Sequence, residues 1–509
     1  MTILSRIENN ARKYSNRLAI VEKSNSDIKT ITWKELNDYS NKLGNYLDKT
    51  LNTKKPVVVY GHKNPYMIVC FLACVKSGRA YCPVDINVPY TRIVDIVNEV
   101  NPDIVLTTEN LDCTNIDNNI LNLNQILEII KNEKEISKAK YVKKNDVFYI
   151  IFTSGSTGKP KGVQITRDCL DNFIKWAKNI GCGLKKEHHY TFINQAPFSF
   201  DLSVMDLYLS LYTGGTLWSI PKSIQSNMKK MFDLLKEANA DVWVSTPSFV
   251  DVCLADSSFN ELLLPNLKEF LFCGEVLTNV TVSKLHDRFS KAVVVNTYGP
   301  TESTCAITNV SITKSINKKI MPLPVGKPKK GTWLRIVDAE GNLLKEGEKG
   351  ELIIIGDSVS IGYYNNEELT NKKFGITEID NIKYRYYRTG DECYLKNNML
   401  YYCGRIDLQI KLHGYRIEIE DIENNLMKVD GVVQVAVVPK YKDGKVYSIV
   451  GFVIYNKENN DEFETGMKIR NELKKYVPEY MVPKKIIFMD KLPQTNNGKI
   501  DRKSLGELL

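Results

Sequence analysis

The sequence has no apolar run long enough to cross a membrane. The longest, Tyr66 to Val75, is about half of what a transmembrane helix requires. The N-terminus lacks a basic stretch followed by an apolar core, so no secretion signal is expected. Histidine is scarce: there are five in 509 residues, none in a His-x-x-x-His pair. The adjacent His188 and His189 are poorly placed for a shared metal, and no zinc site is expected. The eleven cysteines are an odd number without a Cys-x-x-Cys pair, which argues against a disulfide framework and for a reducing compartment, the cytoplasm. Cys70 and Cys74, four apart in an apolar run, read as neighbours on one buried helix face. Blocks of five or six like charges are also absent, although the net charge is +9. The densest basic run, Lys138 to Lys144, holds a single aromatic, Tyr141, and reads as solvated surface. Neither a nucleic-acid partner nor membrane insertion is expected. No internal repeat or low-complexity tract stands out.

A chain of this length divides into more than one folding unit and buries a sizeable core without staples. Ile3 to Tyr14 reads as an amphipathic helix, and Thr32 to Glu35 as a capped helix start running through Leu47. Short apolar β-rich runs then alternate with helical ones. Strands are predicted at Pro56 to Tyr60, Ile104 to Thr107, Val147 to Thr153, Asp241 to Ser245, Glu269 to Cys273, Ala292 to Asn296 and Glu351 to Ile355. A buried helix is predicted from Tyr66 to Ser77. Apolar strands spaced by helices predict a parallel sheet covered on both faces, an α/β architecture. The pattern resets near Asp407. Beyond it come a helix (Glu418 to Met427), strands (Val432 to Pro439, Tyr447 to Tyr455), a helix (Glu464 to Tyr476) and a strand (Lys485 to Met489), enough for a small α+β domain. The expected division is a large domain over 1–406 and a small one over 407–509.

The strongest local signal is Tyr149 to Gly162, YIIFTSGSTGKPKG. An apolar strand runs into glycines that let backbone N–H groups approach an anion, hydroxyls that add donors, and Lys159 and Lys161 that add charge. This is a polyphosphate cradle, but not a Walker A loop, because Gly155 and Gly158 are separated by two residues where that loop needs four.

With that loop, VKSGRAYCPVDI (Val75 to Ile86), NTYGPTE (Asn296 to Glu302), YRTGD (Tyr387 to Asp391), GRIDLQIKLHGYRIE (Gly404 to Glu418) and NGKIDR (Asn497 to Arg502) occur in one order along the chain. In this the sequence resembles the adenylate-forming superfamily, and more closely the adenylation domains of nonribosomal peptide synthesis. The resemblance implies a large domain of layered sheets and helices with a smaller mobile C-terminal domain, and a ligase that uses ATP and Mg2+ to make an acyl-adenylate. It implies that Thr153, Ser154, Gly155, Ser156, Thr157, Gly158 and Lys159 hold the β and γ phosphates, and that Glu302 supplies a carboxylate near the metal. Asn296, Thr297, Tyr298, Gly299 and Thr301 would line the adenine and α-phosphate region, Asp391 would accept from the ribose hydroxyls, and Arg405 would donate to ribose or phosphate. Lys499 would bridge the substrate carboxylate and the transferring phosphate. Asp407 would be the hinge about which the small domain swings Lys499 away and presents Gly414 and Tyr415 to the incoming arm.

In amino-acid-activating members an aspartate matching Asp201, within NQAPFSFDLSVMDLY, pairs with the substrate ammonium. Fatty and aryl acid activators, including acyl-CoA ligases, have no need of that charge, and a buried unpaired ammonium is costly. Asp201 also reads as a helix N-cap before Leu202. Together with STPSF (Ser245 to Phe249) and FLFCGEVL (Phe270 to Leu277), this segment is similar to the ligases that load D-alanine on a carrier protein for teichoic acids. That similarity implies a pocket of Asp201, Leu202, Cys273, Gly299 and Cys305, sized for one methyl. Those ligases commonly have valine at the position of Cys305. A methyl is worth only about 1 kcal/mol, so glycine, L-alanine, serine and β-alanine stay open, as does a peptide natural-product pathway. No carrier motif follows Lys499, so the expected acceptor is a separate protein bearing a phosphopantetheine arm.

Overall fold

The computed structural model describes residues 1–509 except 25–26, 117, 156–157, 186–187, 443–444, 457–460 and 495–499. Two large sheets form its framework. The nine-stranded one is parallel from Val293–Tyr298 through Glu269–Phe272, Val242–Ser245, Thr191–Asn194 and Thr216–Ser219 to Leu18–Lys23. Antiparallel strands flank it at both edges. The six-stranded one runs Asn119–Leu121, Ile104–Thr107, Val57–Tyr60, Tyr81–Val84, Val147–Thr153 and Lys161–Thr166. Only its last pair is antiparallel.

The helices Tyr66–Lys76 and Leu202–Thr213 are apolar nearly all round and almost wholly buried, as helices enclosed between layers must be. One apolar cluster joins them to Val57, Val59, Tyr149 and Ile151 of one sheet and to Phe192, Leu217, Val244 and Leu271 of the other. Within it the Tyr81 and Tyr208 hydroxyls satisfy each other at 2.7 Å. The cap read at Thr32 is a full capping box: its hydroxyl accepts from Glu35 N–H at 3.2 Å while Glu35 accepts from Thr32 N–H at 2.8 Å.

A third, five-stranded antiparallel sheet spans Thr332–Val337, Gly350–Gly356, Phe374–Ile379, Ile382–Lys396 and Met399–Arg405. Of these strands the sequence pattern marked only the second. The others are partly solvated, and polar, charged or tyrosine residues break up their apolar ones, so they lack the apolar run that marks a strand buried on both faces.

After Arg405 come the hairpin Gln409–Leu412 and Tyr415–Glu418, the helix Ile419–Leu426, and a three-stranded sheet of Val432–Lys442, Lys445–Tyr455 and Lys485–Phe488 with the helix Glu462–Leu473. The apolar cluster of this part draws only on residues from Ile410 onward. It rests on the large domain through ties that include Arg92 to Asp421 at 3.0 Å, Lys445 to Asp251 at 2.9 Å and the Thr91 hydroxyl to Lys475 C=O at 2.6 Å.

Candidate active site

In both large sheets the predicted residues follow the carboxyl ends of parallel strands, where open α/β sheets place their ligands. Thr153 to Lys161 leaves Val147–Thr153, Asp201 follows Thr191–Asn194, Cys273 follows Glu269–Phe272, and Gly299 to Cys305 follows Val293–Tyr298. A Cβ on Gly155 would sit 2.2 Å from Lys159 C=O, and Gly158 has φ +78° with its N–H donating to Gly155 C=O at 3.1 Å. The tight turn therefore needs both glycines.

The Thr153 hydroxyl is buried with no partner among the described residues, a group that an anionic oxygen would satisfy. The Ser154 hydroxyl is instead engaged by the hairpin: it donates to Arg416 C=O at 2.8 Å and accepts from Glu418 N–H at 3.2 Å. Lys161 pairs with Glu418 at 3.1 Å, while Lys159 is exposed. Ser156, Thr157 and Lys499 lie outside the described residues.

Glu302 is fully buried on the short 3-10 turn after Pro300. Arg416 grips it with distances of 2.8 and 2.7 Å to its two oxygens, and the Tyr363 hydroxyl donates at 2.7 Å. Burial works to raise its pKa, but the Arg416 guanidinium and Lys161 ammonium outweigh it and hold the carboxyl down at about 2. Among the described residues no group of three or more His, Cys, Asp or Glu is poised to hold a metal. Glu302 alone still suits magnesium, which commonly takes one or two carboxylates and completes its shell with substrate phosphates and water.

At the end of Val293–Tyr298, Asn296 donates to Pro324 C=O at 2.8 Å and Thr297 to Phe272 C=O at 2.8 Å, fixing the strand end. The Tyr298 hydroxyl donates to buried Asp391. Arg405 bridges two carboxylates, reaching Asp391 at 2.8 Å and Asp407 at 2.8 and 2.5 Å. Burial pushes the Asp407 pKa up, but the Arg405 contact prevails and lowers it. The Lys411 ammonium lies over the rings of Tyr298 and Tyr402, 5.7 and 5.8 Å from their centroids.

Asp201 occupies the N-cap position of Leu202–Thr213, yet its side chain makes no capping hydrogen bond. It turns inward and accepts from the Thr301 hydroxyl at 2.7 Å. Burial raises its pKa to about 6, and neither the Thr301 hydrogen bond nor the more distant Lys411 charge brings it back. Buried Leu202 opens the helix beside it. The Cys273 thiol reaches toward Cys305 C=O at 3.6 Å, and burial raises both thiol pKa values. A Cβ on Gly299 would fall 2.6 Å from Ala306 Cα. Thr304 and Cys305 both hold positive φ, 65° and 67°, a conformation unusual for side-chain-bearing residues. The Thr304 hydroxyl anchors it by donating to Ser358 C=O at 2.7 Å.

The structure thus lines one cavity with Thr153, Ser154, Asp201 and Thr301, ties Tyr298 to Asp391 and Asp391 to Arg405, and adds three residues that sequence reading assigned no role: Arg416, Lys411 and Tyr363. The first two lie inside the Gly404 to Glu418 segment, and their signal is the alternation of cations with the apolar Ile410, Leu412 and Ile417. Tyr363 had no sequence signal.

The family model for AMP-binding enzymes matches residues 7–364, and that for the AMP-binding enzyme C-terminal domain matches 421–499. A D-alanine–D-alanyl carrier protein ligase of Listeria monocytogenes serotype 4b is 48% identical over 486 residues, 93% of each chain. Its counterpart in Bacillus cytotoxicus is 44% identical over 510 residues, 99% of each. Among solved structures, the Vibrio cholerae adenylation domain AlmE in complex with glycyl-adenosine-5'-phosphate matches with a TM-score of 0.81 at 21% identity, covering 99% of this chain and 97% of that one. A nonribosomal peptide synthetase protein with adenylation and carrier domains, bound to a vinylsulfonamide inhibitor, matches at 0.82 and 22%, covering 99% and 84%.

Proposed function

The chain belongs to the AMP-binding enzymes, and within them to the D-alanine–D-alanyl carrier protein ligases; on that premise we propose that it activates D-alanine with ATP and passes the alanyl group to the phosphopantetheine thiol of a separate carrier protein. The observation that carries the substrate end is Asp201, a buried carboxylate facing a small pocket with a hydroxyl but, among the described residues, no cation within ion-pair distance. A substrate ammonium completes it, and the two cysteines leave room for a small side chain. The reaction belongs in the cytoplasm, where ATP is found. Among the described residues no helix is long and apolar enough to cross a membrane.

In the first half-reaction the amino-acid carboxylate attacks the α-phosphate and pyrophosphate leaves. The orphaned Thr153 hydroxyl and the Ser154 hydroxyl, once released by the hairpin, donate to the polyphosphate with Lys159 and the bare backbone around Gly155 and Gly158. Asn296, Thr297, Tyr298 and Gly299 shape the adenine and α-phosphate seat, and Asp391 accepts from the ribose. Glu302, freed of Arg416, would hold magnesium, which supplies charge neutralisation on the phosphates. Lys499 brings its ammonium between the two anions.

In the second half-reaction the small domain turns about Asp407 and the thiol attacks the adenylate carbonyl; the C–S bond forms, the thiol proton leaves and AMP departs. The described arrangement suits this step. The 409–418 hairpin sits against the phosphate loop, and Phe200 and Tyr415 stack across the junction with ring centroids 5.6 Å apart. The product then serves alanylation of teichoic acids.

Amino-acid-dependent ATP–pyrophosphate exchange with D-alanine, L-alanine, glycine, serine and a fatty acid tests the reading. D-alanine is expected to support the highest kcat/KM. Strongest exchange with any other acid would overturn the substrate assignment.

A further inference from the structure

Lys63 lies in the connection between Val57–Tyr60 and Tyr66–Lys76 and is only 1% exposed. Its ammonium donates to the Asn194 side-chain oxygen at 2.5 Å and to Ala196 C=O, and it stands 4.5 Å from the centroid of the Phe198 ring. All three partners belong to the short run that leads from the end of Thr191–Asn194 to the start of Leu202–Thr213. The Asn194 amide in turn donates to both oxygens of Asp206, at 3.0 and 3.2 Å. Asp206 is fully buried on that helix, so the amide closes the run at its base. The connection that carries Lys63 is itself fastened. Next to it, His62 accepts at Nε2 from Lys222 N–H at 3.2 Å, which leaves its Nδ1–H to donate to Asp85 at 2.7 Å.

An ammonium in this place is unfavourable in itself. Its hydrogen bonds go to neutral oxygens, and burial pulls the Lys63 pKa down to about 8 and pushes that of Asp206 up to about 7, although each charge works against this in the other. A methionine would fill the same volume with no charge to desolvate. What it could not do is hold Asn194 and Ala196 C=O together. The residues that follow along the run, Ser199, Phe200 and Asp201, line the small cavity with Thr153 and Thr301. Asp201 makes no capping hydrogen bond to the helix it precedes. Apart from the Thr301 hydroxyl, its direction is therefore set by the backbone that enters the helix.

Resting on the amino-acid site proposed above, we propose that Lys63 is the positioning residue of that site: its ammonium fixes the run from Asn194 to Phe198 from behind, so that Asp201 meets the substrate ammonium in one arrangement. Lys63 touches no substrate. It acts through the backbone at Ala196, the ring of Phe198 and the Asn194–Asp206 clasp. Because its own segment belongs to the other large sheet, it also sets the carboxyl edges of the two sheets against each other where the cavity lies.

The test is steady-state ATP–pyrophosphate exchange, with amino acid and ATP varied in turn, beside thermal unfolding of wild type, Lys63→Met and the double variant Lys63→Met with Asp206→Asn. The first variant removes the ammonium at nearly constant volume. The second also removes the carboxylate charge that is then left uncompensated. In Lys63→Met the KM for D-alanine should rise by about tenfold, as for loss of a charged hydrogen bond, with the KM for ATP within about twofold of wild type, and the melting temperature should fall. The double variant should recover the melting temperature and keep the raised D-alanine KM; it carries the same comparison if Lys63→Met does not fold. An unchanged D-alanine KM, equal rises for D-alanine and ATP, or a KM that recovers together with stability in the double variant would each show Lys63 to be a structural cation only and overturn the proposal. Strongest wild-type exchange with another acid would count against D-alanine alone, because each variant is compared with wild type on the acid that wild type uses best.

Discussion

Two carboxylates lie buried close enough to feel each other's charge and are treated in opposite ways. Glu302, at the nucleotide end, is gripped by Arg416 and held at a pKa of about 2. Asp201, at the end proposed for the amino acid, has only a hydroxyl as partner among the described residues and rises to about 6. The fold could have neutralised both and did so for one. A carboxylate whose partner is built into the chain is ready at any working pH, and its partner can be withdrawn by moving a hairpin. On the proposed function, a carboxylate left without a cation waits for one, and the energy withheld from the empty site would become selectivity for a substrate that brings an ammonium.

That contrast can be broken most severely at the unpaired end. Asp201→Ala should raise the KM for D-alanine by about a hundredfold, since it strips a buried ammonium of its partner, while the KM for ATP moves little; steady-state exchange with each substrate varied reads both. An unchanged D-alanine KM would remove Asp201 from the ammonium site. Next in size is Arg416→Met, which leaves Glu302 buried with only the Tyr363 hydroxyl and the Lys161 charge to steady it in the arrangement described. Single-turnover alanyl transfer from preformed adenylate should slow by about tenfold, more than exchange does. Equal slowing of both would mean that the pair does not distinguish the two states.

The pH dependence sharpens the comparison. The proton competes with the substrate ammonium at Asp201, whose pKa is raised, so binding is full above about 6 and is lost as pH falls through it. The KM for D-alanine should then climb by about tenfold per unit in the acid limb. Glu302, with its pKa depressed from 4.5 to about 2, contributes stability that is complete above its unfolded value and lost only as pH falls toward 2. A flat KM profile between pH 5 and 8 would contradict the Asp201 assignment. The smallest effect is expected from Cys305→Val. The exchange of one buried small side chain for another of similar volume should shift the preference for D-alanine over glycine by less than about threefold.

Much of the site was legible because its chemistry forces local composition. The phosphate loop must be glycine and hydroxyl, and Gly155 and Gly158 show why: one would clash with Lys159 C=O, the other has φ +78°. The parallel strands were legible because burial on both faces leaves an uninterrupted apolar run, as in Val57–Tyr60 and Glu269–Phe272. The sheet over residues 332–405 was largely invisible for the converse reason, since half-solvated strands carry Tyr and Arg where buried ones carry Val. Asp201 reads as an N-cap because the residue type fits that position. Only the structure shows the side chain turned away from the helix toward Thr301. Arg416 and Lys411 could be seen as cations in a motif, but their targets are distant in sequence and emerge only when the small domain is docked.

The Ser154 hydroxyl carries a consequence of its own. It is a single donor with two clients, an incoming triphosphate and the backbone of the 409–418 hairpin, and it can serve only one at a time. On the proposed function its position would make the enzyme a turnstile: the passage that admits fuel would be barred by the same movement that opens the exit for cargo, and a loaded adenylate would be shielded from the pyrophosphate that undoes it.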